Sequence, residues 1–133
     1  MPPDLEIVQE WLTKAAHDLE GARQLLQSPK PLPDLVLFHC QQTVEKSLNA
    51  FIEFCEARPP KTHAVGQLLD LAQAKDGGFA SLQDADWLSL YAVANRYPGF
   101  EPEATRELAE EGVGTAEAVL RFVLDRLPEK VRP

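Results

Sequence analysis

Arg58, Lys61 and His63 stand close together on an otherwise acidic chain, in a stretch interrupted by Pro59 and Pro60. Two cations and an imidazole just ahead of a helix start are groups that receive an anion such as phosphate, because the first amides of a helix also favour negative charge. The same residues read equally as the solvated side chains of a proline-stiffened loop. Arg96-Tyr97-Pro98 is a second candidate. An arginine at a helix end before a forced turn either bonds the last carbonyls or points its guanidinium into a cleft. His39, Gln42 and Lys46 recur at helical spacing and form a polar stripe, continued by Asn49 and Glu53. His17, between Lys14 and Asp18, reads as a solvated side chain.

Other chemistry finds no support in the spacing. Gly112-Val113-Gly114 falls inside a helical pattern with no strand before it, so its amides cannot cradle a phosphate as a dinucleotide loop does. The chain has no P-loop, no H-E-x-x-H and no G-x-S-x-G. Cys40 and Cys55 lie on one predicted helix, about 22 Å apart at ~1.5 Å rise per residue, so they cannot bridge within it. Without a C-x-x-C pair they are expected to be small, reduced, apolar side chains and not zinc ligands. Glu101, Glu103, Glu107, Glu110 and Glu111 read as a solvated first turn favoured by the helix dipole, and no metal site is expected.

The elements that position these groups follow from periodicity. The 133 residues, 44% of them hydrophobic, are expected to form one domain over 1–133. Val8, Trp11, Leu12, Ala15, Leu19, Ala22 and Leu26 recur at three and four, which predicts a helix from Asp4 to Gln27. Pro29, Pro31 and Pro33 end it. A second, central helix opens at Pro33-Asp34 and runs to about Glu56, with Leu37, Cys40, Val44, Leu48, Phe51 and Cys55 in one sector and small Thr43, Ser47 and Ala50 beside them for close packing. Thr62 is placed to cap a short third helix carrying Val65, Leu68, Leu69 and Ala72, which Gly77-Gly78 ends. A fourth helix is expected from Ser81 or Asp84 to before Pro98, carrying Trp87, Leu88, Leu90, Tyr91 and Val93. The last is expected from Pro102 to Leu127, with bending or close packing at Gly112 and Gly114. No β-type alternation occurs, so the class is all-α. The net charge of −8 opposes general attraction to nucleic acid or anionic membranes, leaving only a local RNA contact open. With no long apolar span and no signal-type start, a cytoplasmic protein is expected.

Three runs in order, Trp11-Leu12-Thr13-Lys14-Ala15-Ala16-His17-Asp18-Leu19-Glu20-Gly21-Ala22, then Phe38-His39-Cys40-Gln41-Gln42-Thr43-Val44-Glu45-Lys46-Ser47-Leu48-Asn49-Ala50, then Lys61-Thr62-His63, together with Arg96-Tyr97-Pro98, resemble the HEPN family (higher eukaryote and prokaryote nucleotide-binding domain). The resemblance implies an up-and-down antiparallel bundle of four to five helices, a homodimer, and pairing with a small nucleotidyltransferase protein, in some cases as toxin and antitoxin. Many members are ribonucleases that need no metal and use an arginine followed, after four to six residues, by a histidine. Counting from Arg96, that place falls on Glu101, Pro102 and Glu103, and no histidine follows His63. A carboxylate among carboxylates repels the phosphate it would have to approach, whereas an imidazole exchanges protons near neutrality. The expectation is therefore a helical dimer that binds a nucleotide, a nucleotidyltransferase partner or both, without nuclease activity and with no required cofactor. Arg96, Tyr97, Lys61 and His63 are its first candidate contacts, with Arg58 beside them and His39, Gln42 and Lys46 as the accompanying stripe. Two alternatives stay open: an RNase toxin in which His39 or His63 supplies the displaced imidazole, and a purely structural helical adaptor.

Overall fold

The computed structural model describes residues 3–93, 95, 97–99 and 103–133, and among them every regular element is helical. Helix α1, Leu5–Gln27, begins where the Asp4 carboxylate accepts from the amides of Glu6 and Ile7, and ends at the first proline of the linker. Val8, Leu12, Ala15, Leu19 and Ala22 are its buried stripe. Helix α2, Pro33–Phe54, starts on a proline, whose missing N–H costs nothing in a first turn. Most of its residues are buried. It touches α1, α3 (Val65–Lys75) and α4 (Arg106–Leu124), which makes it the central rod. Asp18 of α1 reaches His39, near the start of α2, whereas Trp11, earlier on α1, shares a groove with Asn49 and Glu53 near the end of α2, so the two helices run antiparallel.

The small residues of α2 serve close approach. The Thr43 hydroxyl shares its one hydrogen between the His39 carbonyl of its own helix, at 2.9 Å, and the Ala15 carbonyl of α1, at 3.3 Å. On another side Gly112 of α4 meets Leu37 and Cys40, and a Cβ there would lie 2.7 Å from Leu37 Cδ2. Gly114 has open space around it. The two glycines therefore separate packing from propensity. Gly114→Ala is expected to raise stability by about 1 kcal/mol, whereas Gly112→Ala, which must push a buried leucine, is expected to lose about 1–2 kcal/mol net, both read as urea midpoints. The Cys40 thiol is free and buried, and burial, then the nearby Glu117 charge, pushes its pKa up to about 12. Cys55 is also free, and burial raises its pKa.

Helix α2 ends in a Schellman motif, with the Ala57 amide on the Ile52 carbonyl and the Glu56 amide on that of Glu53. Glu56 takes the left-handed position, φ 62°, that glycine usually fills. This reversal sends Arg58–His63 back along α2. Helix α3 begins at Val65, later than Thr62 would set it as a cap. Thr62 accepts only from the Ala64 amide, while the α3 amides of Val65 and Gly66 donate to Ser89 Oγ (2.8 Å) and Asp86 Oδ1 (2.7 Å). The cap comes from across the fold.

The expected fourth α-helix is instead a run of 3-10 turns over Gly77–Tyr91. Phe79, Leu82, Ala85, Leu88 and Tyr91, one every third position, are buried or half-buried, which matches three residues per turn and not 3.6, and Trp87 is half-buried beside them. That repeat leaves Leu90 and Val93 exposed, contrary to the α-helical reading. The last helix begins at Arg106, where the Thr105 hydroxyl accepts from the Leu108 amide, and stops at Leu124. It is therefore shorter at both ends than its apolar pattern. Glu101 and Pro102 lie outside the described residues; Glu103, Glu107, Glu110 and Glu111 are exposed.

Asp76 ties this half together. Its carboxylate accepts from the Gly78 amide and from Arg126 Nε at 2.7 Å, and these two, in that order, hold its pKa below the usual 3.8. A lowered folded-state pKa stabilises above the unfolded value, and the benefit disappears as pH falls through the folded one. Asp76→Asn is thus expected to lower the urea midpoint at neutral pH, and the difference from the parent is expected to vanish as pH falls through the lowered folded-state pKa. Among the described residues no helix is long and apolar enough to cross a membrane.

Candidate functional site

The Arg58–His63 loop folds back against α2 and α1 to enclose a groove of about 690 Å³. One wall is α2, where Glu45, Asn49 and Glu53 stand one turn apart on a single face. The opposite wall carries Arg58, Lys61 and His63, and Trp11 of α1 borders the end. The structure therefore brings together three of the residues singled out in the sequence.

Buried polar groups of α2 hold the loop in place. Glu45 is almost covered, with 11% of its side chain exposed, and its Oε1 lies 2.8 Å from His63 Nδ1. A carboxylate only accepts, so Nδ1 carries the proton and Nε2 is the other face of the ring. Gln41, fully buried, donates from Nε2 to Glu45 Oε1 (3.1 Å) and to the His63 carbonyl (3.0 Å). Gln42 in turn donates to Gln41 Oε1 at 2.7 Å. Burying such groups is costly unless each is bonded, and here the bonds converge on His63. Asn49 departs from this pattern. It is buried, yet its Oδ1 has no hydrogen-bond partner among the described residues. Arg58, Lys61 and Glu53 also line the groove without a hydrogen bond or ion pair to any described side chain.

The remaining candidates lie elsewhere. His39 and Lys46 do not form an open polar stripe. Both turn toward α1, with His39 Nδ1 2.9 Å and Lys46 Nζ 2.6 Å from the two oxygens of Asp18. Only Gln42 connects to the groove, through Gln41. The reason is packing: α1 covers this sector of α2, and one carboxylate bonds both groups at a half-buried seam. His17 is exposed, as its position on α1 implies. Tyr97, 65% exposed, borders a separate cleft of about 330 Å³ with Asp34, Asn95 and Glu103. Arg96 lies outside the described residues, but its neighbour Asn95 is anchored by a bond from Nδ2 to the Asp34 carbonyl, at the start of α2. The expectation that the first amides of the third helix would attract an anion fails, because Ser89 Oγ and Asp86 Oδ1 already accept from those of Val65 and Gly66.

Trp11, Glu45, Asn49 and Glu53 are site residues to which the sequence assigns other roles. Trp11 falls in the apolar stripe, Glu45 on a flank, and Asn49 and Glu53 on a polar face. Their common signal is the four-residue spacing of 45, 49 and 53, followed by a proline-stiffened basic loop short enough to fold back on that face. Among the described residues no group of three or more acidic, His or Cys side chains is arranged to hold a metal.

A family model described as the HEPN domain matches residues 8–127. The fold is similar to the crystal structure of TT1696 from Thermus thermophilus, with a TM-score of 0.75 and 29% identity over 90% of this chain and 98% of that one. It is also similar to ST0689, an archaeal HEPN homologue, with a TM-score of 0.72 and 23% identity over 90% of this chain and 96% of that one. No protein of curated description matches the chain.

Proposed function

Because the chain belongs to the HEPN domain family, we propose that it is a nucleotide-binding helical module whose site is the groove between α2 and the Arg58–His63 loop. A shared fold does not choose a function, so the site has to carry the reading. The observation that carries it is the buried, unpartnered Asn49 Oδ1 on one wall of a groove whose other wall holds Arg58, Lys61 and His63. A nucleotide offers the matching parts: a base edge for the carboxamide, a ring face for Trp11 and a phosphate for the cations.

The module does not cleave RNA by the arginine and histidine arrangement of nucleolytic relatives. No histidine follows Arg96 in the chain. His63 is bonded to Glu45, while Asn95 is bonded to Asp34 eleven residues earlier on α2, about 16 Å away at ~1.5 Å per residue. His39 is turned to Asp18. Leu32 and Leu35, near Asp34 in the chain, are exposed, as are Leu90, Val93 and Tyr97, near Asn95 in the chain. These exposed apolar side chains are the contacts for a second copy or a small nucleotidyltransferase partner.

Calorimetric titration with purine and pyrimidine mononucleotides, alongside thermal shift, tests the proposal. Saturable heat that Lys61→Ala weakens supports it; no heat and no stabilisation at millimolar concentration removes it.

One observation favours a second reading, a metal-independent RNase. A carboxylate on Nδ1 fixes the His63 ring and leaves Nε2 for proton transfer, as a base and its orienting partner are arranged in many hydrolytic sites. Growth arrest on expression, relieved by His63→Ala, would support it, and intact RNA after incubation with the purified protein would exclude it.

A further inference from the structure

The two walls of the groove differ in chemistry, and that difference specifies a base. We propose that the groove selects a guanine nucleotide, with Asn49 and Glu53 of α2 reading the base and Arg58 and Lys61 receiving the phosphate; this rests on the reading of the groove as a nucleotide site.

On the α2 wall the groups are two carboxylates, Glu45 and Glu53, which only accept, and the Asn49 carboxamide, whose Oδ1 accepts and whose Nδ2 donates. Glu45 Oε1 already takes bonds from both His63 and Gln41, which ties that oxygen to the loop. One turn on, Asn49 Oδ1 is shielded from solvent and has no partner among the described residues. One turn further, the half-buried Glu53 carboxylate also has none there, although Arg58 and Lys61 line the same groove. Charges of opposite sign that border one cavity and remain unpaired leave room for a molecule that is a hydrogen-bond donor at one end and an anion at the other.

A carboxylate has no hydrogen to give, so whatever lies against Glu53 must supply N–H groups. Guanine carries three hydrogens on one edge, one on N1 and two on N2. They are enough for both oxygens of Glu53 and, once the Asn49 carboxamide turns its buried Oδ1 toward the groove, for that oxygen too, with no lone pair turned toward the carboxylate. Adenine has its two hydrogens on N6, beside a bare N1 that would face the carboxylate lone pair to lone pair. Cytosine repeats that conflict at N3, and uracil offers a single N3–H between two carbonyl oxygens. Trp11 supplies an aromatic surface for the ring, and the volume of about 690 Å³ is within the usual range for small-ligand sites.

The experiment is a set of titrations of the full chain with GMP, AMP, UMP and IMP, followed by XMP on a variant. GMP is expected to bind at least ~10-fold tighter than AMP, and IMP, which lacks the 2-amino group, more weakly than GMP. Glu53→Gln exchanges an acceptor for a donor, so it is expected to weaken GMP and strengthen XMP, whose C2 carries oxygen. A damaged fold would not produce that inversion. Lys61→Ala is expected to weaken all of them by a similar factor and to keep their order. Equal binding of GMP and AMP, or an unchanged order in Glu53→Gln, overturns the choice of guanine while the nucleotide reading stands. Failure of every nucleotide to bind overturns both.

Discussion

Phe79→Ala is expected to cost about 3–5 kcal/mol in urea unfolding, the largest single loss in the molecule. Phe79 is fully buried in the 3-10 run, its ring centroid 4.6 Å from that of Phe51 on α2 and 4.8 Å from that of Phe122 on α4. It thus joins three elements through one tilted and one edge-on ring contact. Arg126 closes that cluster, with its guanidinium carbon 3.4 Å from the centre of the Phe122 ring while Nε holds Asp76. Truncation removes the middle ring and leaves a cavity that the rods on either side cannot fill by collapse, because other contacts hold them apart. Phe79→Leu, which keeps most of the volume, is expected to lose about 1–1.5 kcal/mol. A loss of under about 1 kcal/mol in the alanine variant would show that the run packs more loosely than these distances imply.

Reversing both loop cations, Arg58→Glu with Lys61→Glu, is expected to lower nucleotide affinity at least ~100-fold, equivalent to about 2.7 kcal/mol. Stability should change by no more than about 0.5 kcal/mol, since both side chains are exposed and unpaired among the described residues. The pairing of a large binding loss with an unchanged unfolding midpoint is the diagnostic result, read by calorimetry and urea titration on the same preparation. Retained affinity would move the site away from this groove.

Much of this architecture is legible without coordinates. Helix α1 is predicted almost to the residue because Asp4 and the prolines after Ser28 are unambiguous signals at its two ends. The centrality of α2 follows from its apolar sector and its small flanks, and the close packing at Gly112 from a glycine set within a helical pattern. The 3-10 run escapes such a reading because Trp87, Leu88, Leu90, Tyr91 and Val93 satisfy a helical stripe loosely and mask the stricter series Phe79, Leu82, Ala85, Leu88, Tyr91. The site is half visible. Charge singles out Arg58, Lys61 and His63, but the other wall depends on which face of α2 remains open once α1 has packed, and only the assembled bundle decides that. The same packing turns His39 and Lys46 inward to Asp18 and gives them a structural role.

The bonds from Gln41 and Glu45 to His63 also affect kinetics. Because folding itself fixes the loop that carries the cations, a visitor meets a largely preorganised surface and need order only the Arg58 and Lys61 side chains. Encounter should then proceed near the ordinary rate for a small molecule meeting an open crevice, with no slow step of closure, and affinity should reside almost wholly in how long the visitor stays.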